Sequence, residues 1–463
     1  MKQILTIAKL TWKSAFRYRL FWVLSALLLA AVVALPLLLK DDGTARGMTQ
    51  ILMTYTLSAI TGLLGFATLW LSCGTMARDV EDCQMQVVSV KPIARWQIWL
   101  GKWIGIVGLN FALLVISGGC VFGLLYVRAG QLNANERKVL QEEVFVARAS
   151  ARPEIPDIER ASERLFQEVV KKNNNSLNSA QLDTLRMQVR QRVRAENEVV
   201  PSGMMRRWMI DLGAEKDSLK GKPMRVRIKF QSAIPNYSEG VLYVSMWEVG
   251  PPDSPIAKRL KPQQFPADSF QEFSIPADVL DQDGKLYLTF ANGNEMALLF
   301  GLEDGVEVLY PEGGFSLNYA RGLGIILCWL AMLSAIGLAA SSWLSFPVAA
   351  FFSIAVLVIG MSSSTLSGAI EQGSVFGLDH ETAKPTNPTL DNLALPMFKG
   401  ILYVIKVVED FSPIDALSSG RSITWGMLAL AFCRIVVLMG GLFVLAGIAL
   451  FTRRELAAVQ STS

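Results

Sequence analysis

Histidine is almost missing from this chain: its 463 residues hold a single one, His380, in the segment Asp379-His380-Glu381, which reads as a solvated loop. Neither a histidine-based zinc site nor a Ser-His-Asp triad can be assembled within one copy. Cysteine is sparse as well. Of the five, Cys73, Cys120, Cys328 and Cys433 lie inside apolar runs and Cys83 lies in a short basic loop. That leaves none in the polar middle of the chain, which excludes a disulfide framework there, and no Cys-x-x-Cys spacing offers a metal site. The sequence also lacks a Gly-x4-Gly-Lys-Ser/Thr phosphate loop, a Gly-x-Ser-x-Gly elbow and a catalytic pair of carboxylates. No cofactor site is expected, and no enzyme. Charge is scarce too, at 18% against about a quarter in soluble proteins. A net charge of +4 gives no electrostatic footprint for nucleic acid.

What is abundant is apolar residues, at 51% of the chain with mean hydropathy +0.35. The 44 basic and 40 acidic side chains are too many for a chain that is membrane throughout, and roughly three-fifths of them fall between Arg128 and Glu312. The composition therefore predicts a membrane part interrupted by one polar domain. Six apolar runs are long enough to cross the hydrocarbon layer of about 30 Å as helices. They are Leu20–Leu39, Ile51–Gly74, Trp103–Val127, Gly322–Leu344, Val348–Leu366 and Trp425–Phe451. The first is preceded by a segment at residues 1–19 that reads as an interfacial amphipathic helix. It lacks a small-x-small cleavage pattern and reads as a retained anchor.

Orientation follows from basic residues at the span ends. Lys2, Lys9, Lys13, Arg17 and Arg19 precede the first span, Arg78, Lys91, Arg95 and Lys102 follow the second, and Arg453 and Arg454 open the tail, 453–463. Placing all three groups in the cytoplasm puts both termini inside. The polar insert and the segment 367–424 then lie outside. Trp12, Trp22, Trp70, Trp99, Trp103, Trp343 and Trp425 fall at or near the expected interfaces.

The fold class expected is an α-helical polytopic membrane protein with an extracytoplasmic α+β domain between its third and fourth spans. Residues 20–127 carry the first three spans, 320–366 the fourth and fifth, and 425–452 the sixth. Within the insert, 128–204 is charged, with amphipathic helical spacing, and is expected to be helical. From 205 to 319 short alternating runs such as Arg225–Phe230 and Val241–Trp247, separated by Gly, Pro, Asn and Asp, predict a β-sandwich that is jelly-roll-like.

Two features lie near the last span. The segment 367–424 holds apolar stretches too short to cross, which suit re-entrant or interfacial helices or a surface loop. Arg434 lies well inside the sixth span, where a charge is costly. It either pairs with Glu371, Glu409, Asp410 or Asp415 or snorkels to the outer interface.

The loop at 75–102 is the most informative. It begins as a charged helical turn with Arg78, Asp79, Glu81 and Asp82, runs apolar, breaks at Pro92, and restarts through Arg95, Gly101 and Lys102 into the third span. Here the chain resembles the ABC-2-type transporter permeases, within them the nitrous-oxide-reductase maturation and gliding-motility group. The resemblance rests on Arg78, Glu81, Pro92, Arg95, Gly101 and Lys102, on the basic start Leu5–Arg19, on Phe411-Ser412-Pro413-Ile414-Asp415, and on Phe451-Thr452-Arg453-Arg454-Glu455-Leu456. Where that family commonly has Gly-Thr, this chain has Cys83-Gln84. The resemblance covers about the first 127 and the last 145 residues and leaves the insert outside.

It implies a second permease, most simply a homodimer, and two copies of a separate ATPase subunit that binds ATP and Mg2+ and docks on the 75–102 loop and the N-terminal helix. It also implies a bacterial inner membrane and a periplasmic insert. A protein or glycan is the expected outer partner. The loop's basic residues alternatively fix topology and touch anionic lipid. A different class of function stays open: a non-transporting scaffold or receptor whose β-domain binds a glycan, peptide or protein.

Overall fold

A computed structural model describes residues 2–17, 19–38, 44–82, 93–140, 144–172, 179–215, 219, 222, 224–233, 241–252, 254–276, 278–361, 370, 394, 396–400, 402–403, 405 and 411–454. In chain order the helices are α1 (Lys2–Arg17), α2 (Arg19–Leu38), α3 (Ala45–Glu81), α4 (Arg95–Ala129), α5 (Ala134–Val139), α6 (Ile158–Lys172), α7 (Ser179–Glu198), α8 (Phe315–Ser341), α9 (Phe346–Met361), α10 (Pro413–Ser418) and α11 (Trp425–Arg453). Two compact units result, Met1–Val146 with Gly314–Ser463, and Ala147–Gly313.

In the first unit four helices are long and apolar enough to cross a membrane: α3, α4, α8 and α11. The count is five if α1 and α2 form one bent span, and α9 is a shorter apolar helix. At 37 and 35 residues α3 and α4 run about 55 and 52 Å, well beyond an apolar layer of about 30 Å. Arg78, Asp79 and Glu81 fall in the last turn of α3, and Arg95 and Lys102 in the first turns of α4. Local signals set the helix starts. Thr44 caps α3, its Oγ1 accepting from Gly47 N at 3.0 Å, and Thr424 caps α11 by accepting from Met427 N at 3.1 Å.

Four hydroxyls buried within α3 turn back on their own helix, which satisfies them without a partner from elsewhere. Thr49, Thr56, Thr68 and Ser72 each donate to the carbonyl four residues earlier. The core packs Met53, Leu57 and Ile60 of α3 with Leu114 and Val121 of α4 and Ile325, Ile326 and Leu330 of α8. Between Phe432 and Gly440 α11 is π-helical, and Arg434 lies in that stretch. Its guanidinium stands 5.7 Å from the Phe411 ring. Asp415, one of the expected partners, instead accepts from Ser412 Oγ at 2.6 Å. Glu371, Glu409 and Asp410 lie outside the described residues.

The segment ahead of α11 is held to α8 by side chains. Asn318 Nδ2 donates to Arg421 O at 2.8 Å, Asn318 Oδ1 accepts from Ile423 N at 2.6 Å, and Arg321 Nη1 donates to Ile423 O at 2.6 Å.

The second unit is sheet-rich. Its strands are β1 (Val146–Ala151), β2 (Val199–Val200), β3 (Met205–Asp211), β4 (Met224–Ile228), β5 (Phe230–Ser232), β6 (Leu242–Val249), β7 (Lys258–Arg259), β8 (Gln263–Pro266), β9 (Gln271–Ile275), β10 (Lys285–Ala291), β11 (Leu298–Phe300) and β12 (Val306–Gly314). They form sheets ordered β1-β12-β4-β9, β3-β10-β6-β7 with β8 also on β6, and β2-β11-β5. The pairing across β3, β10 and β6 and across β12, β4 and β9 is antiparallel. β1 falls inside the stretch that the sequence reads as helical. Only α6 and α7 there make a hairpin, with its own small core of Phe166, Val189 and Val193.

Period-two alternation builds the core of this unit: Leu286, Leu288 and Phe290 of β10 face inward with Tyr243, Trp247 and Val249 of β6 and Val226 and Ile228 of β4. The other face of β4 is charged yet buried. Arg227 bridges Glu272 on β9 at 2.6 Å and Glu307 on β12 at 3.1 Å, and Arg148 on β1 reaches Glu272 at 2.9 Å. Burial opposes ionisation of Glu272, but Arg148 and Arg227 outweigh it and hold the carboxyl below the usual carboxylate range.

Candidate functional site

The residues singled out at 75–102 converge at the end of the first unit where α1, the C-terminus of α3, the N-terminus of α4 and the C-terminus of α11 meet. Lys102 lies about two turns into α4 with its side chain 7% exposed. Its Nζ pairs with Asp79 of α3 and donates to Thr75 O at 2.8 Å. A buried ammonium is tolerated only with such partners, so this contact locks α3 to α4.

Arg95, in the first turn of α4, donates through Nη1 to Phe451 O at 3.1 Å, Thr452 O at 2.7 Å and Arg454 O at 3.0 Å. These are carbonyls at the end of α11, where the chain runs out of helical donors and the helix dipole favours a cation. Arg454 repeats the arrangement one helix on, its Nη1 donating to Ser342 O at 3.2 Å at the end of α8. Glu81 meets the opposite pole: its Oε1 accepts from Phe346 N, the first residue of α9, at 3.0 Å. Arg78 stands 4.6 Å from the ring of that same Phe346. Asp82 closes α3, its N–H donating to Arg78 O at 2.7 Å. Pro92 and Cys83 lie outside the described residues.

Gly101 has a packing role that the sequence reading missed. A Cβ there would lie 2.7 Å from Ile7 Cβ, and one at Gly105 would lie 2.8 Å from Thr11 Cβ. Gly108 continues the row beneath the Trp12 ring, and Trp12 Nε1 donates to Gly105 O at 2.7 Å. The spacing Gly101, Gly105, Gly108 is a small-residue notch in which α1 lies directly on the α4 backbone. That spacing was visible in the sequence; its partner helix was not. Trp99, buried beside it, donates to Ser342 Oγ at 3.1 Å and fits against Gly447 of α11.

Between α1 and the ends of α3 and α4 a cavity of about 610 Å³ remains. Lys2, Lys13 and Arg17 line it from α1, Thr75 and Asp79 from α3, and Ile98 and Lys102 from α4. Lys2, Lys13 and Arg17 are exposed and make no ion pair among the described residues. The site thus offers the cations of α1 around an apolar floor, on a frame in which Asp79, Glu81, Arg95 and Lys102 tie one helix to another. Among the described residues no group of His, Cys, Asp and Glu could hold a metal ion.

Comparison with known proteins gives no relative: no family model, no curated protein and no solved structure matches the chain.

Proposed function

We propose that the chain is the permease subunit of an ABC-2-type transporter. In this reading two copies of the chain pair in a bacterial inner membrane, six spans each with both termini in the cytoplasm. Two copies of a separate ATPase subunit dock at the α1, α3 and α4 end and bind the ATP and Mg2+. The observation that carries the reading is the set of ties leading away from the 82–93 segment. Asp79 with Lys102 joins α3 to α4, Glu81 holds the start of α9, Arg95 holds the end of α11, and the glycine notch seats α1. A force applied between residues 82 and 93 is therefore shared by five helices, as a rigid-body transition requires. The cations of α1 around the cavity suit an acidic partner surface.

The second unit supports an outer partner. The chain crosses repeatedly between the sheets β1-β12-β4-β9 and β3-β10-β6-β7, with β2-β11-β5 as a third, an arrangement that we read as jelly-roll-like. Met205, Met209 and Met246 are exposed on the β3, β10 and β6 sheet, on the face that also carries Arg207 and Glu248, a mixed surface of the kind that receives a protein chain. ATP-driven movement of the spans then either exports a substrate or does mechanical work on that partner.

Purification from native membranes in mild detergent tests the docking. A co-purifying subunit that hydrolyses ATP is expected, and Lys2→Glu with Lys13→Glu is expected to weaken its binding at least about tenfold, some 1.4 kcal/mol. Because both lysines are exposed, the melting temperature of the chain stays unchanged. Undiminished ATPase binding by the double variant contradicts docking at α1.

A further inference from the structure

Asn110 interrupts the apolar run of α4, between Leu109 and Phe111. It is only 2% exposed, and its Nδ2 finds no hydrogen-bond partner among the described residues. In an apolar layer no bulk water is at hand to satisfy such a group, so a buried amide without a partner needs an explanation. This one lines a crevice of about 340 Å³ between α2, α3 and α4, walled by Phe21, Ala67, Trp70, Leu109 and Leu113. The volume falls within the range of roughly 300–1,000 Å³ typical of small-molecule sites. Arg78 lines the crevice at the α3 C-terminus, and from Ala67 to Arg78 the helix rises about 16 Å. Apolar walls therefore run between one amide within the helix bundle and one guanidinium near the helix end.

A water cluster fits poorly, because each water needs two to four polar partners and these walls offer few. An amphiphile meets every surface at once: chain against the walls, a carbonyl or hydroxyl at the amide, an anionic group near the guanidinium. We propose that this crevice binds one acyl chain of an anionic lipid, oriented by Asn110 and Arg78. The proposal rests on α2, α3 and α4 lying in a bilayer and is independent of ATPase docking.

The test uses the full chain in detergent, titrated with phosphatidylglycerol or phosphatidylcholine carrying dibrominated acyl chains, which quench nearby indoles. Quenching of Trp70 is read as the difference between the wild-type chain and Trp70→Phe. Saturation near one lipid per chain is expected, with phosphatidylglycerol preferred. Asn110→Leu should weaken it about fivefold, the size of one hydrogen bond. Ala67→Phe, which fills the crevice, should abolish it. Quenching that does not saturate, or that is the same in both variants, overturns the site. Equal binding of the two headgroups overturns the role of Arg78. Carbonate extraction of native membranes checks the bilayer placement separately: release of the chain would remove that premise without bearing on Asn110.

Discussion

Lys102 and Asp79 carry the strongest energetic demand at the candidate site. Removing one member of a buried pair leaves the other charge uncompensated, at a cost of about 3–5 kcal/mol when both are fully buried. Asp79 is 24% exposed, so the cost of Lys102→Met is expected near the lower end, about 3 kcal/mol. Combining Lys102→Met with Asp79→Asn should recover most of that loss. Thermal melts of the wild-type chain and the three variants in one detergent check the cycle; additive losses would mean the pair is not coupled.

Glu272 shows the same physics in the second unit, and there it gives a pH dependence. Its folded pKa lies below its unfolded value because Arg148 and Arg227 favour the carboxylate more than burial disfavours it. The stabilisation is therefore complete above the unfolded pKa, about 4.3, and is lost as pH falls through the folded value. Hydrogen exchange of β4 and β9 should rise on acidification below about pH 4 in the wild-type chain. In Glu272→Gln that acid limb should be absent and exchange should already be raised at neutral pH. An identical acid limb in the variant would assign the loss to other carboxylates.

Elements rather than single residues explain how much could be read in advance. The apolar runs at Ile51–Gly74 and Trp103–Val127 appear within α3 and α4, and Gly322–Leu344 as α8 up to Ser341, because a helix that satisfies its own backbone needs only length and apolarity. The alternation in Arg225–Phe230 and Val241–Trp247 appears as β4 with the start of β5, and as β6, for an equally local reason. What could not be read is partnership. Nothing around Gly101 says that Ile7 lies on it, and nothing around Arg95 says that its acceptors are some 360 residues away at the end of α11. Basic residues that set topology and basic residues that cap helices look alike in sequence. α1 shows the consequence. Gly101→Val is expected to displace it, since a side chain must occupy space within 3 Å of Ile7 and the Ile4 carbonyl, at a cost of about 1–3 kcal/mol. Faster proteolysis within Lys2–Arg17, with α4 still protected from exchange, is the expected readout; unchanged cleavage would show that α1 is held elsewhere.

For the whole molecule, the separation of composition into an apolar unit and a charged, sheet-rich unit matches a membrane protein that exposes one folded domain. The lack of any nucleotide loop beside a cluster of helix ties at Asp79, Glu81, Arg95 and Lys102 is what makes a separate motor subunit the reading to test. The most direct measurement places a photo-crosslinking amino acid at Lys13, on the cavity rim, and in a second variant at Ser202, in the turn before β3, in cells carrying the native partners. Lys13 is predicted to crosslink to a nucleotide-binding subunit whose yield changes with ATP, and Ser202 is predicted not to. An ATPase captured from Ser202, or from neither position, would contradict the assignment of the α1, α3 and α4 end as the docking site.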